Sequence, residues 1–177
     1  SLYRSKIDNE ITSFELESSP GKTYYRNIGE TQKEGIEVSL TTNLGNNIRA
    51  DFAYTYSQFE FSNYFKNNQD LKGNRLPGLP QNLFNTDIYY INPTGYFMVM
   101  GFSRYSNIFL NDSNDQTTNP YSVLNLRLGN EFQIFGSRLK VHVGANNVLN
   151  ESYYSNLRVN AWGCLLYTSD AADDIPR

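Results

Sequence analysis

A few places in this chain carry residue types that could do chemistry. His142 is the only imidazole. A nucleophile–base–acid site would need it in a cleft beside an oriented carboxylate and a hydroxyl or thiol. It stands instead in the alternating run "RLKVHVGA", between Lys140 and Gly144, where a solvated strand face is the simpler place for it. One His among scattered carboxylates is no zinc ligand set. Cys164 is the only thiol, so neither an internal disulfide nor a thiolate metal site is available. "NDSNDQTTN" offers Asp112 and Asp115 but lacks the Gly and the closing Glu of a calcium loop; it reads as a solvated loop. "ELESSPGK" lacks phosphate-loop spacing. No catalytic residue, metal ligand or cofactor is assigned, and the chain is read as non-enzymatic. What remains is "YFKNNQDLKGNR". Tyr64, Phe65, Lys66, Lys72 and Arg75 mix cations with aromatics, a mixture suited to gripping an anionic chelate by charge and stacking. The plain alternative is an exposed loop.

The elements that must position these residues are strands. No segment sustains an apolar period of 3.6, and no apolar run approaches the ~18 residues of a membrane helix. Period-2 alternation recurs throughout. Ile36, Val38 and Leu40 oppose Glu37, Ser39 and Thr41. Ile48, Ala50, Phe52, Tyr54 and Tyr56 oppose Arg49, Asp51, Ala53, Thr55 and Ser57. Leu124, Leu126 and Leu128 oppose Asn125 and Arg127, and Leu139, Val141 and Val143 oppose Arg138, Lys140 and His142. Looser alternation marks "NLFNTDIYY" and "GYFMVMGFSRYS", and "SLYRSKID" opens the chain as a strand.

The connections alternate in length. "NLGNN", "INPTG" and "QIFGS" are tight turns by their Gly, Asn and Pro. Residues 9–30, 61–81, 107–120 and 147–159 are long connections. An antiparallel up-and-down meander puts the short turns at one end and the long loops at the other, the pattern of an outer-membrane β-barrel. A soluble sandwich mixes turn lengths at both ends. Tyr and Phe are abundant, at 14 and 11 residues. Tyr54 and Tyr56 are read as closing their strand before its long loop, and Tyr89 and Tyr90 as lying near a turn, where membrane interfaces collect amphipathic rings. A net charge of −3 leaves no basic nucleic-acid footprint.

Four stretches then resemble TonB-dependent outer-membrane receptors, in that family's order. "YYRNIGETQKEGIEVSL" is similar to a strand with a basic-x-Gly-hydrophobic-Glu core around Gly35. "GNRLPGLPQNLFNTDIYY" resembles the return of a loop to the barrel through Pro77 and Pro80. "VHVGANNVLNESYYS", with Asn146, Asn147, Tyr153 and Tyr154, resembles the near-terminal signature, and "NLRVNAWG" the start of the last strand. The resemblance implies an open fragment of a 22-stranded barrel, covering residues 1–163 at its C-terminal end, with plug and TonB-box upstream. It implies a receptor and transporter in a Gram-negative outer membrane, most like the ferric-siderophore or ferric-citrate branch. The implied partners are the ferric siderophore, the TonB energising complex and the lipid bilayer. The alternatives are a porin or barrel enzyme, a receptor for cobalamin or a glycan, and a soluble β-rich binding module.

Residue-level expectations follow. Pro77 and Pro80 suit the step from loop to strand because they lack backbone donors. Gly35 allows close approach or a bulge, and Asn146 and Asn147 can satisfy the backbone where the ladder ends. Phe52, Tyr54, Leu126 and Val141 should face lipid, and Arg49, Asp51, Arg127 and Lys140 the lumen. Residues 164–177, "CLLYTSDAADDIPR", break the strand pattern and resemble a translated sequencing adaptor; they are expected to be non-native. The fragment alone is expected not to function.

Overall fold

The computed structural model describes residues 1–66, 68–154 and 156–160. The tail at 164–177, Trp162 and Gly163 lie outside the described residues. Eleven strands run in chain order: β1 Leu2–Asp8, β2 Ile11–Leu16, β3 Ser19–Asn27, β4 Glu30–Asn43, β5 Ile48–Asn63, β6 Phe65–Lys66, β7 Gln69–Asp70, β8 Asn82–Ile91, β9 Tyr96–Tyr105, β10 Tyr121–Ile134 and β11 Ser137–Ala145. Seven form one antiparallel sheet in the order β1-β4-β5-β8-β9-β10-β11. Among the described residues β1 and β11 do not pair, so the sheet is open. The meander with alternating short and long connections is as the sequence implies.

Register places the alternating residues on common faces. Ala50, Ile88, Met100, Leu126 and Ala145 pair in one row across five strands. Ile48, Tyr90, Met98, Leu128 and Val143 form the next row. Phe52, Tyr54 and Val141 share this face; Arg49, Asp51, Arg127 and Lys140 alternate onto the other. The apolar face is bare: Val38 is 56% exposed, Leu40 57% and Val143 70%. A water-soluble sheet would cover such a band, because each buried CH₂ is worth roughly 0.8 kcal/mol. Lipid is a solvent in which such a band can stay bare. The polar face carries the Arg49–Asp51 ion pair at 3.0 Å, the Arg138–Glu131 pair at 3.0 Å, and Lys140 with Nζ 4.4 Å from the Phe97 ring centre.

The apolar face ends at a definite level on the loop side. Leu2, Ile36 and Tyr56 pair across β1, β4 and β5, and the next residues on that face are Arg4, Glu34 and Gln58. Arg4 and Glu34 form an ion pair there, as do Lys6 and Glu30. The strands nevertheless continue. β5 does not close at Tyr56 as its sequence suggested but runs to Asn63, and β4 begins at Glu30, well before Gly35. Beyond this level the apolar side changes: Gln58 and Glu60 continue the formerly apolar face of β5, and Phe59 and Phe61 stand on the other, so the alternation inverts while the ladder persists.

Gly35 sits where a side chain has no room. An added Cβ would lie 2.3 Å from the Tyr56 carbonyl oxygen and 2.5 Å from the Tyr3 hydroxyl. Close approach is its role, since the register shift in this pair falls at Glu30/Thr31.

Candidate functional site

The long connections are not loose. The first holds the β2–β3 hairpin, and the second the two-residue ladder β6–β7. Between them lies a small apolar cluster of Ile28, Phe61, Tyr64 and Leu71, with Leu76 against it. The Phe61 and Tyr64 rings pack at a tilt, with centres 4.9 Å apart.

Beside this cluster is Asp112, fully buried. Its Oδ2 accepts from Arg26 Nη2 at 3.0 Å, Tyr64 Oη at 3.3 Å and Lys66 Nζ at 3.4 Å. Its Oδ1 accepts from Asn160 Nδ2 at 2.8 Å. Its backbone N–H donates to Asn160 Oδ1 at 3.0 Å, and its carbonyl accepts from Asn74 Nδ2 at 2.9 Å. Asp112 therefore ties together the first three long connections and Asn160, the residue that follows the fourth. The expectation of a solvated loop at 111–119 is corrected at Asp112. Ile108, Leu110 and Asp112 alternate onto one buried side, so the period-2 pattern that marks strands continued into this connection. Only the polar ending disguised it.

Arg26 also lies 4.6 Å from the Phe14 ring centre and 5.9 Å from that of Tyr64. Two cations thus meet one carboxylate, with aromatic faces beside them. Arg75 stacks over Phe109 at 5.4 Å, and burial pulls its guanidinium below the ordinary arginine range. Its backbone is clamped by Asn114, which accepts from Arg75 N–H at 2.7 Å and donates to Arg75 C=O at 2.8 Å. Three tyrosines from separate parts of the chain also stack: Tyr105 on Tyr121 at 4.6 Å, and Tyr121 on Tyr153 at 5.2 Å, both near-parallel.

The five loop residues suggested by the sequence therefore separate into groups. Tyr64 and Lys66 are bound to Asp112, Arg75 packs on Phe109, and Phe65 and Lys72 are exposed. Pro77 and Pro80 precede β8, and Pro80 bridges to Ile108. Asn147, at φ 50°, ends the β11 ladder. Its N–H donates to Asn125 Oδ1 at 2.9 Å, and its own side chain bonds both ways with the Glu151 backbone. No such bond involves Asn146 among the described residues. Tyr153 is in the stack, and Tyr154 is half-buried. Residues 156–160 form a bridge and a turn instead of a strand onset. His142 lies on the polar face opposite Gly129.

Burial and the neighbouring Asp112 carboxylate push the Tyr64 phenol up to about 12 from 10.0. A folded-state value above the unfolded one means that the neutral phenol's contribution is complete below pH 10 and is lost as pH rises toward 12. In the full-length protein, protease resistance of the loops should hold to pH 10 and fall between pH 10 and 12, tracking phenolate absorbance. Resistance that is unchanged in Tyr64→Phe at high pH would assign the loss to this phenol.

The model of the family described as "TonB dependent receptor-like, beta-barrel" matches residues 1–148. The chain is 26% identical over 134 residues to the ferrioxamine B receptor of Salmonella typhimurium (strain SL1344), covering 73% of this chain and 19% of the relative. It thus spans about a fifth of that relative's length. Among solved structures it resembles BauA, the ferric preacinetobactin receptor from Acinetobacter baumannii, with TM-score 0.71 and 14% identity over 93% of this chain and 24% of that one. It also resembles the siderophore receptor PiuA from the same organism, with TM-score 0.68 and 15% identity over 91% and 23% of the two chains.

Proposed function

The chain belongs to the TonB-dependent receptor family, within its β-barrel, and on that premise we propose that it is part of an outer-membrane receptor that takes up a ferric siderophore. The observation that carries this reading is the asymmetry of the sheet's two ends. One end has only short turns; the other gathers three of the four long connections, and Asn160 just past the fourth, around Asp112. Such an end is a built recognition surface on a rigid wall. The apolar face meets the lipid of a Gram-negative outer membrane, and the charged face lines the lumen. Energy comes from the TonB complex through parts of the receptor outside this chain. The function is binding and transport, with no covalent step.

Phe65 and Lys72 are the candidates for ligand contact, because both are exposed and neither is committed to the Asp112 network. In a full-length receptor, Phe65→Ala with Lys72→Ala should weaken ferric-siderophore binding about tenfold, the equivalent of about 1.4 kcal/mol. Exchanging the turn at 92–95 should leave binding unchanged. A panel of ferric hydroxamates, ferric catecholates, cobalamin and oligosaccharides tests the ligand class. Binding of cobalamin or an oligosaccharide in place of any iron chelate would reject the siderophore reading.

A further inference from the structure

The turn between β10 and β11 holds both residues at positive φ, Phe135 at 50° and Gly136 at 77°. This mirror-image hairpin turn favours Asn-Gly, because the left-handed first position strains a bulky side chain. Phe135 occupies it nonetheless, and its side chain is fully exposed. Neither local preference nor packing within the chain accounts for an aromatic there.

The surroundings identify what does. Phe132, Ile134 and Leu139 carry the apolar face almost to the turn, and all three are exposed. The β8–β9 hairpin differs: its apolar face ends with Tyr90 and Tyr96, and its connection is Asn92-Pro93-Thr94-Gly95. The loop-side boundary of the apolar face drifts along the sheet, from the level of Tyr56 on β5 to that of Ala145 on β11, which aligns through the ladder with Ala50. That drift is strand tilt. Applied at the turn side, starting from Tyr90, it sets the boundary on β11 at Leu139, paired with Phe132. Phe135 lies three residues further on. Three residues of strand at about 3.3 Å each, tilted about 45°, descend about 7 Å. The headgroup layer is roughly 5–7 Å deep on each side.

We infer that Phe135 is an interfacial anchor, inserted among the lipid headgroups of the turn-side leaflet, where it fixes the depth of the β10–β11 hairpin. The occupant is lipid because Phe132, Ile134 and Leu139 carry the apolar face to the tip and the drift of that face sets the tip at headgroup depth. The inference rests on the lipid-facing reading of that face.

The test uses a full-length receptor without other cysteines, reconstituted in phosphatidylethanolamine–phosphatidylglycerol vesicles. Nitroxide labels are placed singly through Phe135→Cys, Val141→Cys, Lys140→Cys and Thr94→Cys. Collision with oxygen, which partitions into lipid, is compared with collision with an aqueous nickel chelate. The oxygen-to-nickel ratio should be highest at position 141, low at 140 and 94, and intermediate at 135. A ratio at 135 equal to that at 94 overturns the anchor while leaving the lipid-facing reading intact. A low ratio at 141 means that the lipid-facing reading itself has failed. Phe135→Asn provides a second measurement. Relief of strain alone would raise the urea midpoint in vesicles, whereas loss of an anchor lowers it; a rise overturns the inference. Immobilisation of the label at 135 only when a soluble protein is added would also overturn it, in favour of protein docking.

Discussion

Asp112→Ala in a full-length receptor is expected to destabilise the loop assembly by about 3–5 kcal/mol, the usual cost of breaking a buried ion pair from one side. The carboxylate is fully buried and accepts from Arg26, Tyr64, Lys66 and Asn160. Removing it leaves two cations facing each other across an apolar cluster. The strands do not depend on it, so heat-resistant barrel migration in gels should persist. Amide exchange at residues 26–28, 64–76 and 108–114 should accelerate sharply, and siderophore binding should fall with it. Adding Arg26→Met and Lys66→Met to Asp112→Ala should recover much of the protection, because the orphaned charges go as well. Unchanged exchange in the single variant would mean that Asp112 ties nothing together.

Val141→Arg is expected to cost about 2–4 kcal/mol in a full-length receptor, the measured range for a cation at the bilayer midplane of a barrel. Val141 lies on the apolar face of β11 between Leu139 and Ala145 and is 53% exposed. Its neighbour Lys140 is on the other face, over the Phe97 ring. Lys140→Ala should therefore cost far less. Equal costs at the two positions would mean that the strand is turned over, since a one-residue slip exchanges the faces. Equilibrium unfolding in lipid vesicles measures both.

What the sequence made legible, and what it hid, divides along physical lines. Ile36, Val38 and Leu40 announce a strand because one neighbour is lipid and the other is water, so side-chain chemistry alternates with the backbone. Past Tyr56 the same ladder continues with its faces exchanged, Phe59 and Phe61 opposite Gln58 and Glu60; the alternation persists, but its apolar side no longer continues the row of Ile36 and Tyr56. The β2–β3 hairpin hides in "ITSFELESSPGKTYYRN", where only Phe14 and Leu16 alternate with Glu15 and Glu17. Phe65 and Lys72 were identified by residue type, and the structure leaves them available. Tyr64 and Lys66 were singled out with them, but their commitment to Asp112 depends on a residue more than forty positions away. No local pattern encodes that partner. Asn147 was legible because a side-chain amide ending a ladder is a local event.

The Asp112 junction also has a consequence for the order in which the molecule takes shape. Its donors stand 86 positions away at Arg26 and 48 away at both Tyr64 and Asn160. Closing such intervals costs entropy that no local contact repays. The bonds from Tyr64 and Lys66 need β5, β8 and β9 side by side, and that from Arg26 needs β4 as well. Loop assembly is therefore expected to follow strand pairing, and its closure to report that these strands have found their neighbours.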